Sequence, residues 1–139
     1  MKKLIIIIFS FSITLFVSCD KFNFFAKGTL KGTIGIYEGN CMPSPNKPPC
    51  EPKPIATTVV ITHPSEHYQK KLVVAKTQSN EDGSYEVMLP EGKYSLFLLD
   101  GDEYVCDHWQ CSDQCYCSLF EIKKDAVSIL DANIDHASW

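Results

Sequence analysis

Between Gly28 and Asp135 the chain carries no helical hydrophobic period, and that absence narrows its fold more than any motif does. Apolar residues recur instead at the two-residue spacing of half-buried strands. In SYEVMLP, Tyr85, Val87 and Leu89 fall on one face and Ser84, Glu86 and Met88 on the other. In GTLKGTIGIYEG, Ile34 and Ile36 share a face with Gly35 between them. ATTVVITH and KKLVVAKT are rich in β-branched residues, which suit a pleated surface. EGKYSLFLLDG is apolar on both faces, as expected of a central strand. SLFEIKK and AVSILDANID complete about seven short strands, separated by turns such as SNEDG, where Gly83 supplies a positive φ. The pattern predicts an all-β fold, a seven-stranded antiparallel Greek-key sandwich.

Cysteine is the second constraint. There are seven: Cys19, Cys41, Cys50, Cys106, Cys111, Cys115 and Cys117. The first stands apart from the rest. It follows MKKLIIIIFSFSITLFVS, in which Lys2 and Lys3 precede an apolar run and the small Ser18 precedes the cysteine. That is the layout of a secretory signal peptide, and the run is shorter than the roughly 20 residues of a spanning helix. The ending LFVSC also resembles a bacterial lipobox, with Phe16 where Leu is usual. The resemblance implies lipidation of Cys19, and with it a membrane contact through an N-terminal lipid. The expected organisation is a lipoprotein signal peptide at 1–18, the lipidated Cys19 and a tether at 19–27, and one β-sandwich domain at 28–139. Asp20 after the cysteine resembles an inner-membrane retention signal of enteric bacteria.

Without residues 1–18, 11 lysines face 17 acids, a formal charge of about −6. There is no arginine, so the bidentate forks that clamp phosphate or guanine are missing. Nucleic acid is not an expected partner. Catalytic signatures are also missing: no G-x-S-x-G, no H-E-x-x-H, no glycine-rich phosphate loop. The chain reads as a non-enzyme that needs no cofactor.

TQSNEDGSYEVMLPEGKYSLFLLDG, residues 77–101, resembles a carboxypeptidase regulatory-like domain of the transthyretin-like (prealbumin-like) sandwich type. The residues that carry the resemblance are Thr77, Asp82, Gly83, Tyr85, Val87, Leu89, Pro90, Gly92 and Tyr94. GTLKGTIGI and ATTVVIT resemble the first two strands of such domains, so the likeness covers most of residues 28–134. It implies a transthyretin-like sandwich serving as an accessory, adhesive or scaffold module. Tyr85 and Tyr94, on strands read as antiparallel neighbours, are expected to touch.

The two cysteine-bearing loops depart from that pattern. CMPSPNKPPCEPKP holds six prolines in fourteen residues and is neither helix nor central strand. CDHWQCSDQCYC is the other. If successive strands simply alternate in direction, both loops meet at the membrane-distal tip. Six cysteines in an exported chain read as three disulfides. Cys41–Cys50 is the favoured local bridge, with Cys106, Cys111, Cys115 and Cys117 pairing among themselves and Cys115–Cys117 disfavoured at a spacing of two. Pairing across the two loops competes with this arrangement.

A metal reading uses Cys106, His108, Cys111, Cys115 and Cys117 as a zinc or copper set, although the C-x4-C-x3-C-x-C spacing is not that of zinc knuckles. A thiol-redox accessory role is a third possibility. Asp100, Asp102, Glu103 and Asp107 offer oxygen ligands for Ca²⁺ but lack EF-hand spacing. His63 and His67 are four apart, but Pro64 denies them a helix. Tyr104, Trp109 and Tyr116 form the expected recognition surface for an unknown protein or glycan partner. The whole reads as a non-enzymatic, lipid-anchored protein of the bacterial cell envelope, periplasmic or surface-exposed, that binds or scaffolds.

Overall fold

Strand β1 (Lys27–Asn40) is the spine of the first sheet. The computed structural model describes residues 26–139; the signal-peptide segment, Cys19 and most of the tether lie outside the described residues. One edge of β1 pairs antiparallel with β5 (Ser84–Pro90) and, further along, with β2 (Lys53–Pro54). The other edge pairs with β11 (Val127–Ile129) and then β12 (Ala132–Ser138), both parallel to it. The second sheet runs β10 (Phe120–Ile122), β6 (Gly92–Asp100), β3 (Thr58–Thr62), β4 (Val73–Gln78), with β7 (Glu103–Val105) also on β6. A separate two-stranded ribbon joins β8 (Trp109–Cys111) to β9 (Cys115–Cys117).

All seven anticipated segments contain strand, so the all-β sandwich stands. Three details are corrected. The described residues form twelve strands, because the proline-rich and cysteine-rich loops contribute β2, β7, β8 and β9, and the last segment splits into β11 and β12. They form three sheets rather than two. The first sheet is mixed, not antiparallel, and the reason is topological. β10 descends beside β6 to the end where β1 begins, the short link Lys123–Ala126 crosses between the sheets there, and β11 must then climb alongside β1.

The core lies between the sheets. Leu30 and Ile34 of β1, Tyr85 and Leu89 of β5, and Ala132 and Ile134 of β12 meet Val59, Ile61, Leu96, Leu98 and Ile122 of the second sheet. Alternation along each strand delivers these residues inward, while Glu86 and Met88 of β5 point to solvent. Tyr85 and Tyr94 do not sit on paired strands as expected. β5 and β6 are separated by Glu91 alone, but they enter opposite sheets. The Tyr85 hydroxyl donates to Leu130 O at 2.6 Å, and the Tyr94 hydroxyl donates to Pro90 O at 2.7 Å.

The break between β11 and β12 is patched by side chains. Leu130 N–H still donates to Lys31 O at 2.9 Å. Next along, Asp131 Oδ1 replaces a ladder carbonyl, accepting Thr33 N–H at 2.7 Å and the Thr33 hydroxyl at 3.0 Å. Burial, with the Asp131 charge adding to it, pushes the Tyr85 phenol well above its ordinary range, so it remains a donor to Leu130. Gly32 opposes this break, and a Cβ there would lie 1.9 Å from Leu130 O. At the opposite end of β1, His136 Nε2 and Asp100 Oδ2 lie 2.7 Å apart and tie β12 to β6 across the two sheets.

Two outcomes are expected. Gly32→Ala should destabilise the fold by about 3 kcal/mol or more in urea unfolding, because backbone and not a flexible side chain must give way. The hydrogen bond from Asp100, then its charge, hold His136 above its usual pKa. A raised folded-state value means that the contribution is full below about pH 6.5, the unfolded value, and is lost as pH rises through the folded one. The urea-midpoint difference between the wild type and His136→Gln should therefore be largest near about pH 5.5 and shrink as pH rises above about 6.5.

Candidate recognition cleft

β6 is apolar on both faces because it is covered on both. Leu96 and Leu98 enter the main core. Phe97 points the other way and is still only 1% exposed. Beside it in the ladder is Val60 of β3, which is fully buried. A two-layer sandwich would leave this outer face to water. Here two loops fold over it, residues 63–69 between β3 and β4 and residues 106–118 after β7.

The cover is fastened by backbone hydrogen bonds and sulfur. Cys117 N–H donates to Ser65 O at 2.9 Å. Ser65 N–H in turn donates to Ser95 Oγ at 3.1 Å, and the Ser95 hydroxyl returns to Ser65 O at 3.2 Å. Both serines are buried, the Ser95 hydroxyl satisfied by the Ser65 backbone and the Ser65 hydroxyl by donating to His67 O. Cys117 is fully buried against β6, its sulfur 3.0 Å from Leu96 O, and is bonded to Cys106. Cys111–Cys115 closes the ribbon at a directly opposed pair, and Cys41–Cys50 closes the proline-rich loop. The three bridges are those of the local pairing, with no bond between the two loops.

The expectation that all six cysteines share one tip is corrected. Only Cys41–Cys50 lies at the end where β1 finishes, its Cys41 N–H donating to Ser138 O at 2.7 Å. The other four lie on the flank of the second sheet, beside the middle of β6. Simple alternation fails because β7, β8 and β9 are short strands that turn the chain back along the outer face.

An open cleft of about 390 Å³ lies where the two covering loops meet, lined by Glu66, His67, Tyr68, Phe97, Tyr104, Val105, Cys106 and Trp109. Phe97 is its floor. Tyr68 stacks on Tyr104 at 3.9 Å between ring centroids and meets Phe97 edge-on at 6.1 Å. Lys76 Nζ sits 5.6 Å over the Tyr104 ring and 3.3 Å from its hydroxyl, which fixes the ring from the β4 side. Trp109 forms the outer wall. It is 49% exposed, and its indole N–H reaches Glu66 O at 3.4 Å.

Of the expected recognition surface, Tyr104 and Trp109 line this cleft and Tyr116 does not. Tyr116 opposes Gln110 in the ribbon, so its side chain leaves the face that Trp109 shares with Cys117. Its hydroxyl bonds Gln114 at 3.2 Å instead. Sequence reasoning missed Tyr68, Glu66 and Phe97. The signal for Phe97 was present in a strand apolar on both faces, which calls for a second cover. Nothing in HPSEHYQK marks Tyr68.

The metal set is not formed. Cys106, Cys111, Cys115 and Cys117 are consumed in disulfides and offer no thiolate to accompany His108. Among the described residues no group of three or more His, Cys, Asp or Glu is placed to hold a metal ion. The acidic residues disperse. Asp100 engages His136, Asp102 and Glu103 lie at the β6–β7 turn, and Asp107 is raised by desolvation where it approaches Asn133 and Asp135. His63 stacks on Tyr94 at 6.3 Å, and His67 Nε2 lies 3.8 Å from Glu66.

No protein-family model matches the chain, and no curated protein matches it. Among solved structures it is similar to GBS52, the minor pilin of the Gram-positive pathogen Streptococcus agalactiae, at 13% identity and TM-score 0.44, over 80% of this chain and 45% of that one. It is also similar to the Bacillus anthracis TIE protein at 19% identity and TM-score 0.39, over 79% of this chain and 16% of that one. The chain spans less than half of either protein. Likeness of that degree identifies neither a family nor a function.

Replacing both Cys106 and Cys117 by Ala should cost about 3 kcal/mol, against about 2 for the Cys111/Cys115 pair, which closes a shorter loop. Only the first pair should also expose Phe97, seen as increased amide exchange at Ser95–Phe97.

Proposed function

We propose that this protein is a lipid-anchored, non-enzymatic module of the bacterial cell envelope that binds a protein or glycan partner through the Tyr68–Tyr104–Trp109 cleft. The observation that carries the reading is the exposed Trp109 beside a stacked tyrosine pair, on a disulfide-closed loop whose Cys117 is buried against the middle of β6. Tyrosine and tryptophan give large contact area at low cost in conformational entropy, and a rigid mount lowers that cost further. The six described cysteines being paired leaves thiol nucleophiles and thiolate ligands out of this reading. The resemblance of residues 77–101 to carboxypeptidase regulatory-like domains supports the same accessory or scaffold role. The signal-peptide layout and lipobox-like LFVSC support anchoring through Cys19.

The two halves of the proposal are tested separately. Cells fed labelled palmitate should label the wild type and not Cys19→Ala; equal labelling of both would remove the anchor from the proposal. Full-length protein immobilised on resin should retain a discrete component of its own envelope extract. Trp109→Ala should weaken that retention by about 30-fold in Kd, a hot-spot loss of about 2 kcal/mol, with the unfolding midpoint little changed. Retention unaffected by Trp109→Ala would exclude the cleft as the binding face.

A further inference from the structure

Exposed large apolar side chains also gather at the end where β1 begins. Val127 and Met88 lie on either side of Thr29 in the first sheet, and Ile129 follows one row on, beside Lys31. Leu30 and Leu89 point inward, so these three share the outer face. Met88 is 65% exposed, Val127 58% and Ile129 68%, and nothing among the described residues covers them. The surface is firmly held. Thr29 N–H donates to Ala126 O at 2.9 Å, Asp125 N–H donates to Lys27 O at 2.9 Å, and a Cβ on Gly28 would lie 2.3 Å from Lys123 O. Lys27 and the Lys123–Lys124 corner flank the apolar row, while Lys31 is engaged by Glu86 at 3.4 Å.

We infer that this face rests on the lipid bilayer. The inference builds on the reading of Cys19 as lipidated. Six residues lie between Cys19 and Ala26, so the seven steps along the chain reach at most about 25 Å even when fully extended. The folded domain is about 35 Å across by the usual size scaling, so the end of the molecule that carries Met88, Val127 and Ile129 stays close to the membrane surface. A short tether supplies an effective concentration in the millimolar range, at which a contact too weak to form between free molecules is populated. Three side chains are far less than the ~1,000 Å² a specific protein interface requires, whereas a bilayer needs no complementary shape. The flanking lysines can lay their stems along the apolar row and keep their ammonium groups at the headgroups.

The chain contains its own probe. It has three methionines: Met1 in the signal segment, Met88 on this face, and Met42 at the opposite end of β1, 52% exposed. The full-length chain would be placed at low density in phosphatidylethanolamine/phosphatidylglycerol vesicles and treated with hydrogen peroxide, and sulfoxide formation at the two sites followed by peptide mass spectrometry. Their exposures lead one to expect similar rates in free solution. On the membrane, Met88 should oxidise about fivefold or more slowly relative to Met42. In the double variant Val127→Glu, Ile129→Glu, where both positions are exposed and folding is not at stake, the protection should disappear. Equal rates at Met88 and Met42 in lipidated wild type would overturn the inference and leave the anchor intact. Protection that vanishes on diluting the protein in lipid would overturn it in favour of a second copy on this face. Absence of lipid on Cys19 would overturn both readings together.

Discussion

The second sheet buries Phe97 and Val60 on its outer face as well as a core on its inner one, and the rest of the molecule's particular character follows from covering that outer pair. Burying Phe97 and Val60 contributes about 1.5–3 kcal/mol for each side chain, but only if something excludes water from that side. The Cys106–Cys117 bridge and the Cys117–Ser65–Ser95 hydrogen bonds hold the cover in place. The cover is narrower than the face, and its two halves leave an aromatic cleft between them. Structure and candidate function thus share one cause: a loop fastened to seal a core is also a rigid mount for Trp109 and Tyr104.

The molecule is organised along β1. At its start lie two of the crossovers between the sheets, Glu91 and Lys123–Ala126, together with the exposed row of Met88, Val127 and Ile129. At its finish lie the closed proline-rich loop and the His136–Asp100 tie. The recognition cleft lies on neither end but on the flank. With the outer face of the first sheet on the bilayer, as proposed, the cleft over the outer face of the second sheet is turned away from the lipid.

Much of the sheet framework was legible in the sequence because strand alternation is a local signal. SYEVMLP and GTLKGTIGIYEG delivered Tyr85, Leu89, Leu30 and Ile34 to the core as their spacing requires. The SNEDG turn formed with Gly83 at φ +80° and Asp82 accepting Ser84 N–H at 2.9 Å. What the pattern did not carry was sheet membership. Nothing in PEG distinguishes a hairpin from a crossover, so the expected cross-strand pairing of Tyr85 with Tyr94 failed. The parallel run of β11 and β12 beside β1 is set by where β10 ends, a tertiary fact. In the candidate site, pairing among the last four cysteines was expected but not which of them pair or where they lie, because the three-residue strands β7, β8 and β9 are too short to show a period. Tyr116 falls one position of strand alternation off the face that Trp109 shares with Cys117, and Tyr68 had no signal at all.

The most direct test of this account is the disulfide map of the exported, unreduced protein, read from proteolytic fragments by mass spectrometry. The map should show Cys41–Cys50, Cys106–Cys117 and Cys111–Cys115, with the Cys117 fragment protected from reductant until the outer core opens. Cys106–Cys111 or Cys106–Cys115 in place of Cys106–Cys117, or free thiols among these four, would contradict it. Cys117 would then not be tied to the end of β7 and held against β6, and the cleft would lose its mount.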